Sequence, residues 1–250
     1  MAASHSFFDC QQVDESIETT NLLYMTESSD KPFDVTLVVK NGKQFKAHGN
    51  ILSKASSFFE KILDSDWKES REGVIRLEVL NEEIMEDILE FIYSGSVHLR
   101  SVERAEDLIA AADYLFLSKL KVVAGRFIEQ SLSLSNYSSV YECAQRYQCI
   151  ELIANITKFM SLNFASVANE EFFLNLPSHE VEQLISRDDL YVSAEDDVFK
   201  FIVKWIYHDK KERKKNFQEL FRHVRLSFVS RDYLLNEMSM TILSSRMRFA

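Results

Sequence analysis

The stretch DVTLVVKNGKQFKAHGNILSKASSFF, residues 34–59, changes its hydrophobic period part-way along. Apolar residues alternate with polar ones over 35–39 and again over 45–47, which is the period of a half-buried strand. Asn41-Gly42 separates the two runs and favours a type I′ hairpin turn, in which both central residues have positive φ. From Ile51 onward the apolar residues are three and four apart, as on one face of a helix. The stretch therefore predicts a β-hairpin that leads directly into a helix.

The rest of the first half contains one more strand pattern and further helical stripes. The strand pattern is VIRLEV, residues 74–79, in which apolar and charged side chains alternate. Asn50 is placed to cap the first helix, and Gly95 is placed to end a later one in the left-handed conformation. The stripes comprise Ile51, Leu52, Ala55, Phe58, Phe59, Ile62 and Leu63; Ile84, Met85, Ile88, Leu89 and Ile92; Leu108, Ile109, Ala112, Leu115 and Phe116; and Leu120, Val123, Ala124, Phe127 and Ile128.

From about residue 133 the pattern is helical throughout. Its apolar stripes run through Val140, Cys143, Ala144 and Tyr147; Leu152, Ile153, Ile156, Phe159 and Met160; Val181, Leu184 and Ile185; Val198, Phe201, Ile202, Trp205 and Ile206; and Phe217, Leu220, Phe221 and Val224. Ser193-Ala194-Glu195-Asp196 has the form of a capping box at a helix start. We therefore predict an α+β domain over 1–132 and an all-α helical domain over 133–250.

Composition and charge exclude several classes of protein. The 250 residues carry a formal net charge of −10, which argues against nucleic-acid binding because that affinity depends on Lys and Arg side chains at phosphates. No apolar run is long enough to span a membrane, and the N-terminal residues lack the pattern of a secretory signal. The three widely spaced cysteines, Cys10, Cys143 and Cys149, indicate a reducing compartment and suit buried, unreactive positions. We expect a cytoplasmic protein, with the nucleus as a second location.

The sequence contains no arrangement of residues typical of an active site. Cys143 and Cys149 are six residues apart, which does not place them on one helix face, and no zinc-ligand spacing accompanies them. Phosphate-binding loops and nucleophile-elbow motifs are absent. His48 lies just ahead of a helix, where a partly buried structural histidine is the expected role. We therefore predict a protein that is not an enzyme and that uses no cofactor or metal.

The motif order resembles that of two linked protein-interaction domains. The first half is similar to the BTB (POZ) domain through the series FKAH–IL–AS–F within residues 45–59, which DVTL at 34–37 precedes. The later helices of that domain are matched by FIYSG at 91–95 and AAADYLFLSKLK at 110–121. The second half resembles the BACK domain of kelch-like proteins, through EEFFLNLP at 170–177, SAEDDVFKFIVKWI at 193–206 and HVRLSFVSRDYL at 223–234. This resemblance implies an α+β BTB domain followed by an all-α BACK domain.

The resemblance also implies a function and a binding surface. Kelch-like proteins are homodimeric adaptors that bind cullin-3 through the BTB domain and the first BACK helices, and they present substrates for ubiquitination. The family's hydrophobic-x-Glu motif falls on Trp67-Lys68-Glu69, within the polar run DSDWKES at 64–70, so the resemblance makes Trp67 a partner anchor. The alternative is that Trp67 packs against its own domain. The implied cullin-binding residues are Asp66, Trp67, Glu69, Tyr114 and Leu115.

Within this set, Leu115 also fits a core stripe, so both a surface position and a buried one are open for it. Tyr114 lies off that stripe and is the better surface candidate. Helical spacing of apolar residues in the segment 16–25 predicts a dimerisation helix, and the resemblance adds a swapped strand at the N-terminus. The predicted dimer interface comprises Phe7, Phe8, Ile17, Leu22, Leu23 and Met25.

Two features depart from the family pattern. Gly49 occupies a position where the family often has Arg or Lys, in a charged pocket shared with Asp34, and this weakens the case for a BTB repressor that binds peptides there. The sequence ends at Ala250, where the resemblance places the start of a substrate-binding kelch propeller, so a fragment and a natural protein without that domain are both open. The alternative functions are a BTB-dimer transcriptional regulator and a cytoskeletal scaffold without a ligase role.

Overall fold

The computed structural model describes residues 32–64, 72–233 and 235. The described chain divides into two compact units, and each is considered by itself. The first contains the described residues up to Leu132 together with Ser139–Leu152, and the second contains Ser133–Ser138 and the described residues from Ile153 onward. The helical segment after residue 138 therefore packs with the first unit, although it lies beyond the boundary that we predicted after residue 132.

A small sheet and a set of helices form the first unit. The elements up to the second unit are β1 (Val35–Val39), β2 (Gln44–Ala47), α1 (Gly49–Ala55), α2 (Ser57–Leu63), β3 (Val74–Leu77), α3 (Glu82–Ser94), α4 (Val102–Tyr114), α5 (Ser118–Gln130) and α6 (Tyr137–Arg146). In the sheet, β1 lies in the centre, antiparallel to β2 and parallel to β3. Leu37 of β1 and Leu77 of β3 are fully buried, so the predicted strands contribute to the core.

The hairpin turn differs from the predicted type I′ turn. The hairpin is closed by a hydrogen bond from the Val39 amide to the Lys43 carbonyl at 3.1 Å. The Gly42 amide donates to the Val39 carbonyl at 2.8 Å. Gly42 has a φ of +75°, whereas Asn41 is not among the described residues with positive φ. The loop therefore has three residues, with a glycine in the left-handed region after a tight turn. The type I′ prediction was wrong because Lys43 pairs with Val39, one residue before the Lys40 with which a two-residue Asn-Gly turn would pair it.

The third strand is shorter than its alternating pattern predicts. It ends at Leu77, where the Leu80 amide donates to the Leu77 carbonyl at 2.9 Å and closes a turn. Val79 is 68% exposed and does not continue the buried face. The Leu80 carbonyl accepts instead from the Lys40 amide at 3.0 Å, which joins the turn to the hairpin loop.

The predicted single helix after the hairpin is broken at Ser56. This residue has extended backbone angles (φ −148°, ψ 129°) and separates α1 from α2. Its buried hydroxyl accepts from the Phe58 amide at 3.1 Å and donates to the Leu115 carbonyl. Helix α1 starts one residue before Asn50, with His48 at the N-cap position, so the predicted Asn50 cap was wrong. The apolar stripe continues through the break, which is why periodicity did not reveal it.

Helices α3 and α4 match their sequence patterns. Asn81 caps α3 by accepting from the Ile84 amide at 2.8 Å, and Gly95 ends that helix with a φ of +80°, as predicted. The buried carboxylate of Asp87 accepts two hydrogen bonds from the Arg104 guanidinium, at 2.7 and 3.0 Å. Because an unpaired buried charge is costly, this pair fixes α3 against α4.

The second unit is helical. Its elements are α7 (Ile150–Leu162), which starts in the first unit, α8 (Phe164–Val167), α9 (Glu171–Leu174), α10 (Ser178–Ile185), α11 (Glu195–His208), α12 (Lys210–Arg213), a 3₁₀ turn (Lys214–Asn216), α13 (Phe217–Phe221), a second 3₁₀ turn (Leu226–Phe228) and α14 (Arg231–Tyr233). Helix α11 starts where the capping-box motif predicts, but Ala194 occupies the N-cap and no side chain caps it. The Glu195 carboxylate is buried and accepts from the Arg225 amide at 2.8 Å.

Trp205 of α11 is the largest fully buried side chain of the second unit, which confirms its predicted core position. Its indole N–H donates to the Leu176 carbonyl at 2.9 Å. The Arg213 guanidinium lies 4.2 Å from the indole ring centroid and donates to the carbonyls of Leu174 and Trp205. The indole is thus enclosed and its polar group satisfied, as a buried tryptophan requires.

We expect the Ser56→Ala substitution to lower the free energy of unfolding by about 1–3 kcal/mol, because it leaves the Leu115 carbonyl, at a buried hydrogen bond, and the part-buried Phe58 amide without the Ser56 hydroxyl as partner. The measurement is urea-induced unfolding of both proteins. The exposed neighbour Ser57 provides the matched control, and Ser57→Ala should have little effect. Equal unfolding midpoints for the two variants would contradict the role assigned to the Ser56 hydroxyl.

Candidate protein-interaction site

Tyr114 lies at the end of α4 and is 43% exposed, as its position off the core stripe predicted. Its ring centroid is 5.4 Å from that of Phe58 on α2, and Phe58 in turn makes an edge contact with the buried ring of Phe59 at 5.4 Å. The tyrosine is therefore held against a half-buried aromatic side chain rather than free in solvent. This contact places the end of α4 directly beside α2.

Leu115 is fully buried, so the buried alternative applies to this residue. Its backbone carbonyl receives the Ser56 hydroxyl, and its amide donates to the Ala111 carbonyl at 3.0 Å. A side chain without accessible surface cannot contact a partner unless the domain rearranges. The assignment of Leu115 to the cullin-binding set is therefore corrected: it supports the surface from beneath.

Phe116, unlike Leu115, is exposed although its sequence pattern predicts a buried position. It fits the apolar stripe of α4, yet it is 60% exposed. Its φ of +53° is in the left-handed region, and the next amide, that of Leu117, donates back to the Ala112 carbonyl at 2.8 Å. This is a Schellman-type helix end, in which the chain reverses, buries Leu117 and turns Phe116 outward.

A left-handed backbone costs roughly 1–2 kcal/mol for a residue with a side chain, and glycine is the usual residue at such a helix end. Phe116 therefore combines backbone strain with an exposed aromatic ring. Strained residues are concentrated at functional sites, and aromatic side chains are enriched where proteins bind one another. We define the aromatic surface of the first unit as Phe58, Tyr114 and Phe116.

Further side chains of the first unit lie near this aromatic surface. The Lys121 ammonium of α5 forms an ion pair with Asp113 of α4 at 2.6 Å, which joins the two helices across the turn at Phe116. Burial raises the pKa of the nearby Cys149 thiol, and the charges of Lys121 and Asp113 affect it to a smaller extent and in opposite directions. The next residue, Ile150, is 73% exposed. Its exposure was not predicted from the sequence, because Ile150 precedes an apolar stripe and resembles a core residue.

Trp67, Asp66 and Glu69 lie outside the described residues, as do the predicted dimer residues Phe7, Phe8, Ile17, Leu22, Leu23 and Met25. The described chain nevertheless shows where the Trp67 segment begins. Helix α2 ends at Leu63 with Asp64 as its C-cap, and Phe58 lies about 9 Å from Asp64 along the helix axis at 1.5 Å per residue. The segment with Trp67 therefore starts from the same helix that supports Tyr114.

The glycine at position 49 affects the charge of a second surface of the first unit, the depression that it lines together with Asp34. The Gly49 amide donates to the Asp34 carboxylate at 2.7 Å, and a Cβ on Gly49 would lie 3.1 Å from the side chain of Val35. The same depression is lined by the carboxylates of Glu60 and Asp64. Because residue 49 is glycine and not a basic residue, it supplies no positive side chain to pair with the Asp34 carboxylate. The depression is therefore lined by the acidic residues Asp34, Glu60 and Asp64.

The described cysteines do not have the properties of catalytic thiols. Burial, and secondarily the nearby Glu106 carboxylate, raise the pKa of the Cys143 thiol to about 12, and burial raises the pKa of Cys149 as well. A thiol needs a lowered pKa to act as a nucleophile at neutral pH. Over the described ranges, we found no cluster of His, Cys, Asp and Glu suited to a metal ion. Nor does any helix there combine the length and the apolar character needed to cross a bilayer.

Comparison with known protein families gives two matches in succession along the chain. The BTB/POZ domain family matches residues 23–132, and the family BACK, BTB And C-terminal Kelch, matches residues 137–239. The chain is a BTB–BACK region of the kelch-like family. The predicted fold class, an α+β BTB domain followed by helical BACK, is thereby confirmed.

Named relatives agree with this assignment. Human Kelch-like protein 11 is 29% identical over 80% of this chain, and Kelch-like protein 40b of Danio rerio is 29% identical over 85%. The matched regions cover 29% and 34% of those proteins, so the chain spans about a third of their length. A solved structure of the human gigaxonin BTB domain matches 48% of this BTB–BACK chain at 27% identity, with a TM-score of 0.38.

We expect Phe116→Gly to raise the melting temperature of this BTB–BACK chain. Glycine relieves the left-handed strain, which is roughly 1–2 kcal/mol, and little packing is lost because the ring is mostly exposed. Differential scanning calorimetry measures the shift. Phe116→Ala, which removes the ring but keeps the strain, is the matched control and should not stabilise. A lower melting temperature for the glycine variant would show that the ring contributes packing energy that outweighs the strain.

Proposed function

We propose that this chain is the homodimeric substrate-adaptor module of a cullin-3 RING ubiquitin ligase. Its BTB domain and the first BACK helices would bind cullin-3, and it would perform no catalytic chemistry itself. Membership of the kelch-like family supports this proposal. The observation that carries it furthest is that the left-handed helix end exposes the Phe116 ring two residues after the exposed Tyr114, because aromatic side chains are enriched where proteins bind one another.

The aromatic surface has the properties of a binding hot spot. Hot spots are enriched in Trp and Tyr and lie where water is excluded on binding. Phe58 contacts the Tyr114 ring at 5.4 Å and is itself packed against Phe59 at 5.4 Å, so little side-chain entropy would be lost when a partner covers Tyr114. In the proposed complex, Trp67 and Glu69 contribute an apolar anchor and a hydrogen-bond acceptor from the segment after α2, with Asp66 beside them.

The first BACK helices would extend this contact. Ile150 begins α7, lies in the first unit and exposes 73% of its surface. Its neighbour Cys149 lies near the Lys121–Asp113 ion pair, which connects α4 and α5 on either side of Phe116. In this proposal, a partner that covers Tyr114 and Phe116 would also cover Ile150, an exposed apolar side chain on one of the first BACK helices.

The mechanism in this proposal is positioning. A dimer formed through Phe7, Phe8, Ile17, Leu22, Leu23 and Met25 would hold two cullin molecules, and a substrate-binding domain outside this sequence would bring the target protein near the ubiquitin-charged enzyme. The adaptor supplies no catalytic group, so its contribution is the effective concentration of substrate. We propose the cytoplasm as its main location, with the nucleus as a second one.

The Trp67→Ala variant should bind cullin-3 at least about tenfold more weakly, or roughly 1.4 kcal/mol, because burial of an indole in a partner's pocket is a major source of affinity. Calorimetric titration of the cullin-3 N-terminal region into the protein measures this. Lys68→Ala is the matched control in the same segment and should change the affinity much less.

Two further results bear on the same proposal. The melting temperature of Trp67→Ala should equal that of the parent protein, and a large decrease would show that Trp67 belongs to the core. Tyr114→Ala should also weaken binding, and an unchanged affinity would restrict the contact to the Trp67 segment. If the parent protein does not retain cullin-3 at all, the adaptor proposal is wrong and a repressor or scaffold role remains.

Dimerisation is tested separately by multi-angle light scattering. The chain mass is 29.1 kDa, and we expect a species of twice that mass at micromolar concentration, since the helical spacing of apolar residues in the sequence of segment 16–25 predicts a dimerisation helix. Substitution of Leu22 and Leu23 by Asp should shift the mass toward that of the monomer. A single monomeric species for the parent protein would contradict the predicted interface.

A further inference from the structure

A cavity of about 310 Å³ opens on the second unit between α11 and the segment that precedes it. Its floor is formed by Phe164 and Phe201, which are almost fully buried, and their rings contact each other and Phe173 at centroid distances of 5.2–5.9 Å. Ala165 and Ala168 line one side, and their small side chains leave the space open. The cavity is therefore a preformed apolar depression of a size typical of binding pockets.

The lining of this cavity carries two lysines on adjacent turns of α11 and one acidic residue, Asp197. Lys200 forms an ion pair with Asp197 at 3.0 Å. Lys204 donates to the neutral side-chain oxygen of Asn169 at 2.7 Å and forms no ion pair with any described residue. An ammonium group matched only by an amide keeps its attraction for a carboxylate. The lining thus favours an anionic group placed next to an apolar one.

Another part of the lining has backbone groups that make no hydrogen bond within the described part of the chain. Val192 and Ser193 line the cavity, and neither residue makes a hydrogen bond within the described part of the chain. The preceding residue, Tyr191, donates its amide to Ser161 at 3.0 Å, which holds this segment in place. Tyr191, next to this segment in sequence, is 69% exposed. Free backbone groups next to an apolar pocket are what an extended peptide uses to dock.

We propose that this cavity of the BACK domain binds a short extended segment of a partner protein in which an apolar side chain is flanked by acidic residues. The apolar side chain would lie on Phe164 and Phe201, and a flanking carboxylate would pair with Lys204. Backbone groups of the segment would pair with Val192 and Ser193. This site lies in the second unit and is independent of the proposed cullin contact.

The test uses fluorescein-labelled peptides of the form Gly-Glu-X-Glu-Gly, with X as Leu or Phe, titrated with the full chain by fluorescence anisotropy. Control peptides carry Lys in place of both Glu residues. Lys204→Glu reverses the charge of the lining, and Lys211→Glu, at an exposed position of α12 outside the cavity, is its matched control. Ala165→Trp fills the opening, and Ser166→Trp, exposed on the same short helix but not lining the cavity, is the control for that change.

We expect saturable binding of at least one acidic peptide, weakened about tenfold or more by Lys204→Glu and by Ala165→Trp and unchanged by the two control variants, with roughly 1.4 kcal/mol lost for each tenfold. Circular dichroism checks that each variant is folded. The proposal is overturned if no acidic peptide binds below about 1 mM protein, if the lysine peptides bind equally well, or if the two cavity variants bind like their controls. Each of these failures would leave the cullin proposal intact, because that proposal rests on the first unit.

Discussion

The hydrogen bond from the Ser56 hydroxyl to the Leu115 carbonyl connects two chain segments that are far apart in sequence. Because Ser56 is extended, α1 and α2 run as separate helices, and the bond holds the start of α2 against the end of α4. Phe58 follows Ser56 by two residues and Tyr114 precedes Leu115 by one, so their rings meet at 5.4 Å. The aromatic surface therefore depends on a buried polar contact, and such contacts specify a unique arrangement more sharply than apolar packing does.

The end of α4 shows how the fold maintains a locally unfavourable conformation. Phe116 is left-handed and mostly exposed, while the residues on either side of it, Leu115 and Leu117, are buried. Burial of a leucine side chain contributes about 1.5–3 kcal/mol, which exceeds the roughly 1–2 kcal/mol cost of the left-handed backbone. Packing of the neighbours therefore forces the chain reversal, and the reversal presents the ring to solvent. A surface created in this way is rigid before any partner arrives.

The second unit uses its aromatic residues differently. Phe164, Phe173 and Phe201 pack at ring-centroid distances of 5.2–5.9 Å, and the enclosed Trp205 anchors the same helix through its bond to Leu176. Ala165 and Ala168 line the cavity together with Phe164 and Phe201. Because the phenylalanine rings are held by close packing against one another, they do not move to fill the space that the small alanine side chains leave. Affinity for a partner segment would then benefit from a site that needs no reorganisation.

The sequence by itself determined the elements whose cause is local. Alternation and helical periodicity located the three strands and the main helices, and Gly95 marked the end of α3, because a C-terminal glycine acts within one turn of its helix. The stripe of α11 also placed Trp205 in the core. Tertiary structure alone decided that Ser56 interrupts a continuous apolar stripe, that β3 stops at Leu77, and that Leu115 is buried while Phe116 is exposed. Each of these outcomes depends on hydrogen bonds or packing between segments distant in sequence, or on a helix end whose position periodicity does not encode. The cavity beside Lys204 belongs to the same class, since it exists only where side chains from α8 and α11 and the segment before α11 come together.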